Sequence, residues 1–435
     1  MQNRIHAEAI FRAAVAAVQP AALLPQYLQL NGHVLQIGTQ TIPLANTNLY
    51  VIGAGKAAAA MAQTVESILG DHIKAGIVTT KYEHALRLEK INCFEAAHPV
   101  PDENSVKAVE QTINLLKQTK ANDVIICLLS GGASSLWVDT PADLSLPELQ
   151  QTFQLLLRSG ASIDEMNCVR RHLSQIKGGQ LLRYAPEANW FTLIISDVPG
   201  DQLQDIASGP TTADATTFAD AMNVINKYQL QQQLPASVLH YLQKGMKRQF
   251  ADSIKPGDQL LNQVSNTIIG SNKTAIVAAK QKAQELGYNV IVQEELLTGE
   301  TAEAASYIIQ KATEHRTNNP VCLLFGGETT VTVTGNGKGG RNQHLALCIL
   351  EHLRNNTQNI TLLSAGTDGT DGPTDAAGAF ADHELLKAAD EQQLSINDAI
   401  NQNDAYHFFE NVNGLLKTGA TLTNVMDIVI VLLDK

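Results

Sequence analysis

Two glycine turns that carry cations and one run of aspartates hold most of the chemistry open to this chain. In "GAGKAA", Gly53 to Ala58, a single lysine, Lys56, stands in a turn between an apolar run and an alanine-rich helix start. In "TGNGKGGRNQ", Thr334 to Gln343, Lys338 and Arg341 bracket paired glycines ahead of a helical pattern. In "SAGTDGTDGPTDAAGA", 364–379, Asp368, Asp371 and Asp375 follow another apolar run. Cations at a helix start oppose the helix dipole unless an anion lies there, so the second turn points to anion binding. A carboxylate at a strand end can accept a hydroxyl proton or hold magnesium.

The first turn has a second reading. Gly53, Gly55 and Ala58 match GxGxxA, the pyrophosphate-binding half of a dinucleotide fingerprint. The other half is an acidic residue about 20 positions on, for the ribose hydroxyls. Thr79, Thr80 and Lys81 stand there instead, with Glu83 two residues late. A structural turn, a phosphate site and an NADP site, which prefers a basic residue at that place, all remain open on this motif.

"LLSGGASSLW", 128–137, repeats the strand-then-glycine arrangement. The amides of Gly131, Gly132 and Ala133, with the hydroxyls of Ser134 and Ser135, could form an anion nest. The stretch is neither a GxSxG elbow nor a P-loop. "IKGGQL" adds Lys177 and Gly178, and "IISDVPGDQLQDIASGPTT" offers Asp197, Asp201, Asp205, Gly209 and Thr211. Aspartates in such loops form turns as a rule, and a magnesium beside phosphates would use one or two of them; Asp197 and Asp371 are the candidates. The gaps of three and four between Asp368, Asp371 and Asp375 do not fit an EF-hand. Histidine offers no HExxH motif, and His98, ahead of two prolines in "HPVP", reads as part of a rigid turn.

These loops need elements to position them. "NLYVIG", "AGIVTT", "DVIICLLS" and "WFTLIIS" predict strands, with helices between them on Met61, Val65, Ile68 and Leu69 and on Val106, Val109, Ile113 and Leu116. The alternation implies a parallel sheet with helices on both faces and ligands beyond the strands' carboxyl ends. A polar helical tract follows at 212–262, then "VSNTIIGS", "YNVIVQ", "VCLLFGG", "ITLLSAG" and "MDIVIVLL" predict a second, mixed α/β sheet. The alternation of Thr330 to Thr334 predicts a half-buried strand of that sheet. The expected division is 1–258 and 259–435, with the last strand, 427–433, free to return to the first domain.

At 435 residues the chain has room for two ordinary domains, and 44% hydrophobic with 17% charged residues marks a globular protein. A formal net charge of −12 argues against nonspecific binding to nucleic acid. Five scattered cysteines suit a reduced compartment. The amino terminus is broken by His6, Glu8 and Arg12, and no run approaches the roughly 18 apolar residues of a membrane span. A cytoplasmic protein is expected, with no membrane partner.

Together "VIGAGKAA", "AAHPVPDENS", "LLSGGASSL", "VRRHLSQIKGGQL", "LIISDVPGD", "IASGPTT", "LLFGGETTVTVTGNGKGGRNQHLAL" and "SAGTDGTDGPTDAAGA" resemble the class II glycerate kinases (glycerate 2-kinases) with a carboxyl-terminal MOFRL domain. The matching blocks run in order over about 50 to 380. "TGATLTN", 418–424, departs from the "TGPTGTN" expected of the family, lacking its proline and second glycine. The resemblance implies a Rossmann-like first domain, a smaller α/β second domain and an active site in the cleft between them. It implies transfer of the ATP γ-phosphoryl group to the 2-hydroxyl of D-glycerate, with Mg2+, and it maps the catalytic residues onto Lys56, Arg341 and Asp368. Gly53, Gly55, Ser130 to Ser135, Lys177, Gly178, Gly209, Thr211, Glu328, Lys338, Gly340 and Asn342 complete the binding candidates. A homodimer is one assembly open to such a protein. The competing readings are an NAD(P)H-dependent hydroxypyruvate reductase, a kinase of a related hydroxy acid and a nonenzymatic nucleotide or sugar-acid sensor.

Overall fold

The computed structural model describes residues 2–141, 143–315, 319–356 and 358–433. They form two compact units, Leu23–Ile269 and a discontinuous one of Met1–Ala22 with Gly270–Lys435.

The chain opens with α1 (Gln2–Ala17) and α2 (Pro20–Tyr27), then a meander of β1 (Leu28–Asn31), β2 (Val34–Ile37) and β3 (Gln40–Pro43). No sequence signal announced the meander, whose four-residue strands sit at the lower limit for reading alternation. Next come β4 (Leu49–Ala54), α3 (Ala58–Leu69), β5 (Ile73–Lys81), β6 (Ile91–Ala96), α4 (Glu103–Leu116) and β7 (Val124–Leu129). The short α5 (Ala133–Leu136), α6 (Leu146–Arg158), α7 (Ile163–His172), β8 (Asn189–Ile195), α8 (Phe218–Lys227), α9 (Ala236–Met246) and β9 (Val264–Gly270) complete this part of the chain.

The large sheet runs β6-β5-β4-β7-β8-β9, and the pairings from β6 to β8 are parallel. This is the doubly wound order, which reverses between β4 and β7. Every residue of β4 and β7 is buried, as expected of central strands covered on both faces. Helix starts are fixed locally: Asp102 and Ser105 close a capping box on α4, and Ser162 with Glu165 does so on α7.

The other unit adds α10 (Asn272–Glu285), β10 (Asn289–Val292), α11 (Thr301–Glu314), β11 (Val321–Gly327), α12 (Arg341–Leu353), β12 (Ile360–Gly366) and β13 (Gly378–Ala381). After them come α13 (His383–Glu391), α14 (Ile396–Asn401), α15 (Ala405–Asn411), β14 (Leu415–Leu416) and β15 (Asp427–Leu433). Its sheet runs β10-β11-β15-β12-β13-β14, with β10 parallel to β11 and the other pairs antiparallel. The mixed sheet is therefore as expected.

Several details differ from the sequence reading. β15 does not return to the first domain; it lies between β11 and β12, bonded along both edges. α1 packs on α10, β12 and β15, burying Ala7, Ile10, Phe11, Ala14 and Val15. Thr423 Oγ1 donates to Val18 O at 2.7 Å and Arg4 forks onto Asp382. Residues 1–22 thus group with the second unit, and β9 joins the first sheet beyond the expected boundary at 258. Taken as one stretch, Gln2–Tyr27 is long and apolar enough to cross a membrane, with a mean hydropathy of 1.4, but half of its most apolar window is buried inside the protein. Thr330 to Thr334 form no strand beyond a single bridge at Thr330. The amides of Thr332 and Thr334 are bonded by side chains instead, those of Glu300 and Asn403, and Val333 is 73% exposed.

Candidate active site

The switch point between β4 and β7 brings two glycine turns together in the first unit. Gly55 N donates to Thr79 O at 3.1 Å, Lys56 N to Gly131 O at 2.9 Å and Ala57 N to Ser130 Oγ at 3.0 Å. A Cβ on Gly55, whose φ is +133°, would lie 2.2 Å from Ser130 Oγ, and one on Gly53 would lie 2.4 Å from Leu128 O. The glycines therefore serve the approach of one turn to the other, and the amides that a pyrophosphate would need are already bonded. At the end of β5, Thr79 and Thr80 are fully buried, and Trp137 Nε1 donates to Thr79 Oγ1.

What the turns present is side chain. Lys56, Gly132, Ser134 and Ser135 are half-buried, and Gly132 has φ +82°. A Cβ there would meet His98 Cδ2 at 2.9 Å and Lys56 Cγ at 3.5 Å, so the imidazole and the lysine stem lie over the same glycine. His98, read from the sequence as part of a turn, therefore faces the Lys56 turn.

Other candidates of this unit are internal. Lys177 is 3% exposed, and its Nζ donates to Ser134 O at 2.8 Å, Trp137 O at 3.1 Å and Ser134 Oγ at 3.3 Å. Burial pulls its pKa down to about 7, against Asp139, but three acceptors around Nζ favour the ammonium. Lys177 thus fastens the 134–137 turn. Gly178 N donates to Ser208 O, and Gly209 N to Ile206 O. Thr211 is buried between Thr192 and Asn266. Ala207, Ser208 and Gly209 all have positive φ, a strained stretch that Ser208 anchors through Ser134 Oγ at 2.9 Å. Asp197 lies just past β8, half-buried.

In the second unit the ends of three strands converge. Arg341, the first residue of α12, forks onto Asp427, Nε to Oδ2 at 2.5 Å and Nη2 to Oδ1 at 2.9 Å, while Nη1 lies 2.9 Å from Glu328 Oε1. Burial opposes the guanidinium charge, but Asp427 and Glu328 more than offset it and hold the pKa above its usual range. A Cβ on Gly366, at the end of β12, would lie 3.3 Å from both Asp368 Oδ1 and Asp427 Oδ1. Asp368 Oδ1 accepts from Thr370 N at 3.1 Å and Thr370 Oγ1 at 3.2 Å, which orients the carboxyl group. Asp427 escaped the sequence reading; its signal was one carboxylate opening the apolar run "MDIVIVLL".

Asp371 is corrected. It accepts from Asn342 N at 3.1 Å and Gln343 N at 2.9 Å, so both oxygens cap α12 rather than face a metal. Burial pushes its pKa up to about 6 against the pull of those amides. Gly340 and Asn342 belong to the same internal arrangement: a Cβ on Gly340 would lie 2.3 Å from Asp371 Oδ1, and Asn342 Oδ1 accepts from Ser364 Oγ at 2.6 Å. The other glycines of "GNGKGG" also meet protein rather than an open face, with Cβ positions on Gly335 and Gly337 at 2.3 Å from Gln402 O and 2.4 Å from Asp404 Cβ. Lys338 stays half-buried over Tyr406.

Comparison with known proteins adds a family. Residues 6–243 match a family model described as a domain of unknown function, DUF4147, and residues 321–427 match the MOFRL family. A glycerate 2-kinase of Pyrococcus horikoshii is 39% identical over 88% of this chain and 86% of its own. A D-glycerate 2-kinase of Thermotoga maritima is 38% identical over 90% of this chain and 92% of its own. The crystal structure of a glycerate kinase from Thermotoga maritima superposes with a TM-score of 0.85 at 36% identity, covering 99% of both chains.

Proposed function

We propose a function from the premise that the chain belongs to the glycerate kinase family in which a DUF4147 domain precedes a MOFRL domain. It is a glycerate 2-kinase: the 2-hydroxyl of D-glycerate takes the ATP γ-phosphoryl group, leaving 2-phospho-D-glycerate and ADP. The observation that carries the reading is the pair of carboxylates at Gly366, one holding the Arg341 fork and the other, Asp368, held by Thr370. Phosphoryl transfer asks for positioned charge more than for covalent chemistry, and a cation beside an oriented carboxylate supplies it.

In this reading Asp368 orients the attacking hydroxyl and receives its proton. Arg341 and Lys56 offset the charge of the glycerate carboxylate and of the phosphoryl group in transit. The half-buried Gly132, Ser134 and Ser135, with His98 beside Lys56, line the nucleotide side. Glu328 bears on Arg341 and through it on the substrate.

Among the described residues no three His, Cys, Asp or Glu side chains converge on a metal. Magnesium keeps several waters and rides on substrate phosphates with one or two carboxylates. Asp197 is the residue assigned to it, and the bound ion supplies neutralisation of the phosphate oxygens. The reaction is placed in the cytoplasm, with neither nucleic acid nor membrane as partner.

The test is phosphorus NMR of the protein with ATP, magnesium and D-glycerate, run beside hydroxypyruvate with NADH or NADPH. A 2-phosphoglycerate signal without nicotinamide oxidation is expected. A 3-phosphoglycerate signal would overturn the regiochemistry, and nicotinamide oxidation without a phosphoester would return the turn at Gly53 to a dinucleotide.

A further inference from the structure

Two lysines share one tyrosine ring at the edge of the Arg341 site. Lys338 Nζ lies 4.3 Å from the Tyr406 ring centroid and Lys417 Nζ 5.4 Å. Their circumstances differ. Lys417 donates to Asp375 Oδ2 at 2.9 Å and to Tyr406 OH at 3.1 Å, and the phenol donates to Asp375 Oδ1 at 2.7 Å, closing a ring of three polar groups. The Lys338 ammonium has no carboxylate partner among the described residues; the ring face is what holds it.

The backbone fixes this contact. Lys338 N donates to Asp404 Oδ1 at 2.9 Å, and Tyr406 N donates to Lys338 O at 2.9 Å. The ring is 6% exposed and cannot wander. The platform also touches the catalytic loop: a Cβ on Gly369, next to Asp368, would lie 2.1 Å from Gly419 O and 2.9 Å from Thr418 Oγ1, the residues after Lys417.

We propose that Tyr406 is a positioning residue that aims the Lys338 ammonium at the polyphosphate of the nucleotide. An aromatic face localises a cation without neutralising it, whereas a carboxylate does both. Lys338 is thus ordered while its charge stays available to an anion. A compact ammonium with three donors suits phosphate oxygens, whereas the planar fork of Arg341 is already engaged by Asp427. The Asp375 carboxylate is engaged by Lys417 and by the phenol.

This inference rests on the kinase reading, and the experiment separates the two. Inorganic tripolyphosphate binding is measured by calorimetry on the wild type, Lys338→Met, Tyr406→Leu, Tyr406→Phe and the Lys338→Met/Tyr406→Leu double variant, alongside steady-state kinetics. Lys338→Met and Tyr406→Leu should each weaken tripolyphosphate and raise KM for ATP by about tenfold, while Tyr406→Phe, which keeps the ring, changes them by about twofold at most. KM for glycerate should hold in all the variants, and the double variant should bind like Lys338→Met alone. A Tyr406→Leu loss that persists on the Lys338→Met background, or one that falls on glycerate, would overturn the proposal. If the wild type fails to phosphorylate glycerate yet binds tripolyphosphate through Lys338, the kinase reading falls and this one stands. If glycerate is phosphorylated and Lys338→Met binds tripolyphosphate normally, the reverse holds.

Discussion

Arg341 and Asp427 face each other as a two-bond fork, Nε to Oδ2 at 2.5 Å and Nη2 to Oδ1 at 2.9 Å, joining the first residue of α12 to the first of β15. The fork fixes the plane of the guanidinium, so its loss should cost orientation before it costs charge. Asp427→Asn, which keeps one acceptor, should lower turnover by about tenfold, and Arg341→Lys, with no fork to offer, by at least as much. Steady-state kinetics checks both, and wild-type turnover in Arg341→Lys would show that only the charge matters.

The three residues assigned to chemistry should each matter strongly. Lys56→Ala, Arg341→Ala and Asp368→Asn are expected to lower turnover by about a hundredfold or more, the scale for losing one key electrostatic group. Circular dichroism should not change. Full activity in all three would sink the roles given to them.

Leu422 occupies a left-handed conformation, φ +61°, at the position where the family pattern "TGPTGTN" has its second glycine. The strain of about 1–2 kcal/mol for a side chain there exceeds the backbone entropy lost by glycine, about 0.5–1 kcal/mol. Leu422→Gly should therefore raise the melting temperature by a few degrees. A lower melting temperature would mean that the leucine side chain contributes more by packing than its backbone loses.

His172 is buried against Asp252, Nε2 to Oδ1 at 3.0 Å, with Nδ1 2.7 Å from Cys168 O. Burial disfavours its charge, but Asp252 and the Cys168 carbonyl prevail and push the pKa up to about 9. A histidine with a raised folded pKa contributes stability that is fully present below its unfolded value, about 6.5, and lost as pH rises through 9. Over that window the loss is on the order of 2–3 kcal/mol. Thermal melts from neutral to pH 9 should fall more steeply for the wild type than for His172→Gln, and parallel slopes would remove His172 from the account.

The large sheet could be read from the sequence because β4, β5, β7 and β8 are apolar runs that alternate with helical patterns, which local residues suffice to set. The Thr330 to Thr334 strand failed because Glu300 and Asn403, remote in sequence, took its amides. The site shows the same boundary. Lys56, Arg341 and Asp368 stood out through their glycine neighbours, but a glycine reports that something approaches closely, not what. At Gly55 it is Ser130, at Gly337 it is Asp404 and at Gly340 it is Asp371. Lys177 and Asp371 looked like ligand contacts for the same reason; their partners are carbonyls and amides that only the fold brings near.

The place of α1 and β15 bears on how the protein is made. α1 leaves the ribosome before the elements that cover its apolar face, β12, β15 and α10, and Thr423 closes on Val18 from 405 residues away. β15 is a central strand whose absence leaves β11 and β12 without their shared neighbour. The sheet that leads into Arg341 and Asp368 therefore cannot close until β15 has been made, whereas Leu23–Ile269 can condense while the rest is still being translated. A nascent chain stalled before β15 would hold one finished unit and, at both its ends, apolar surface that chaperones would have to shield.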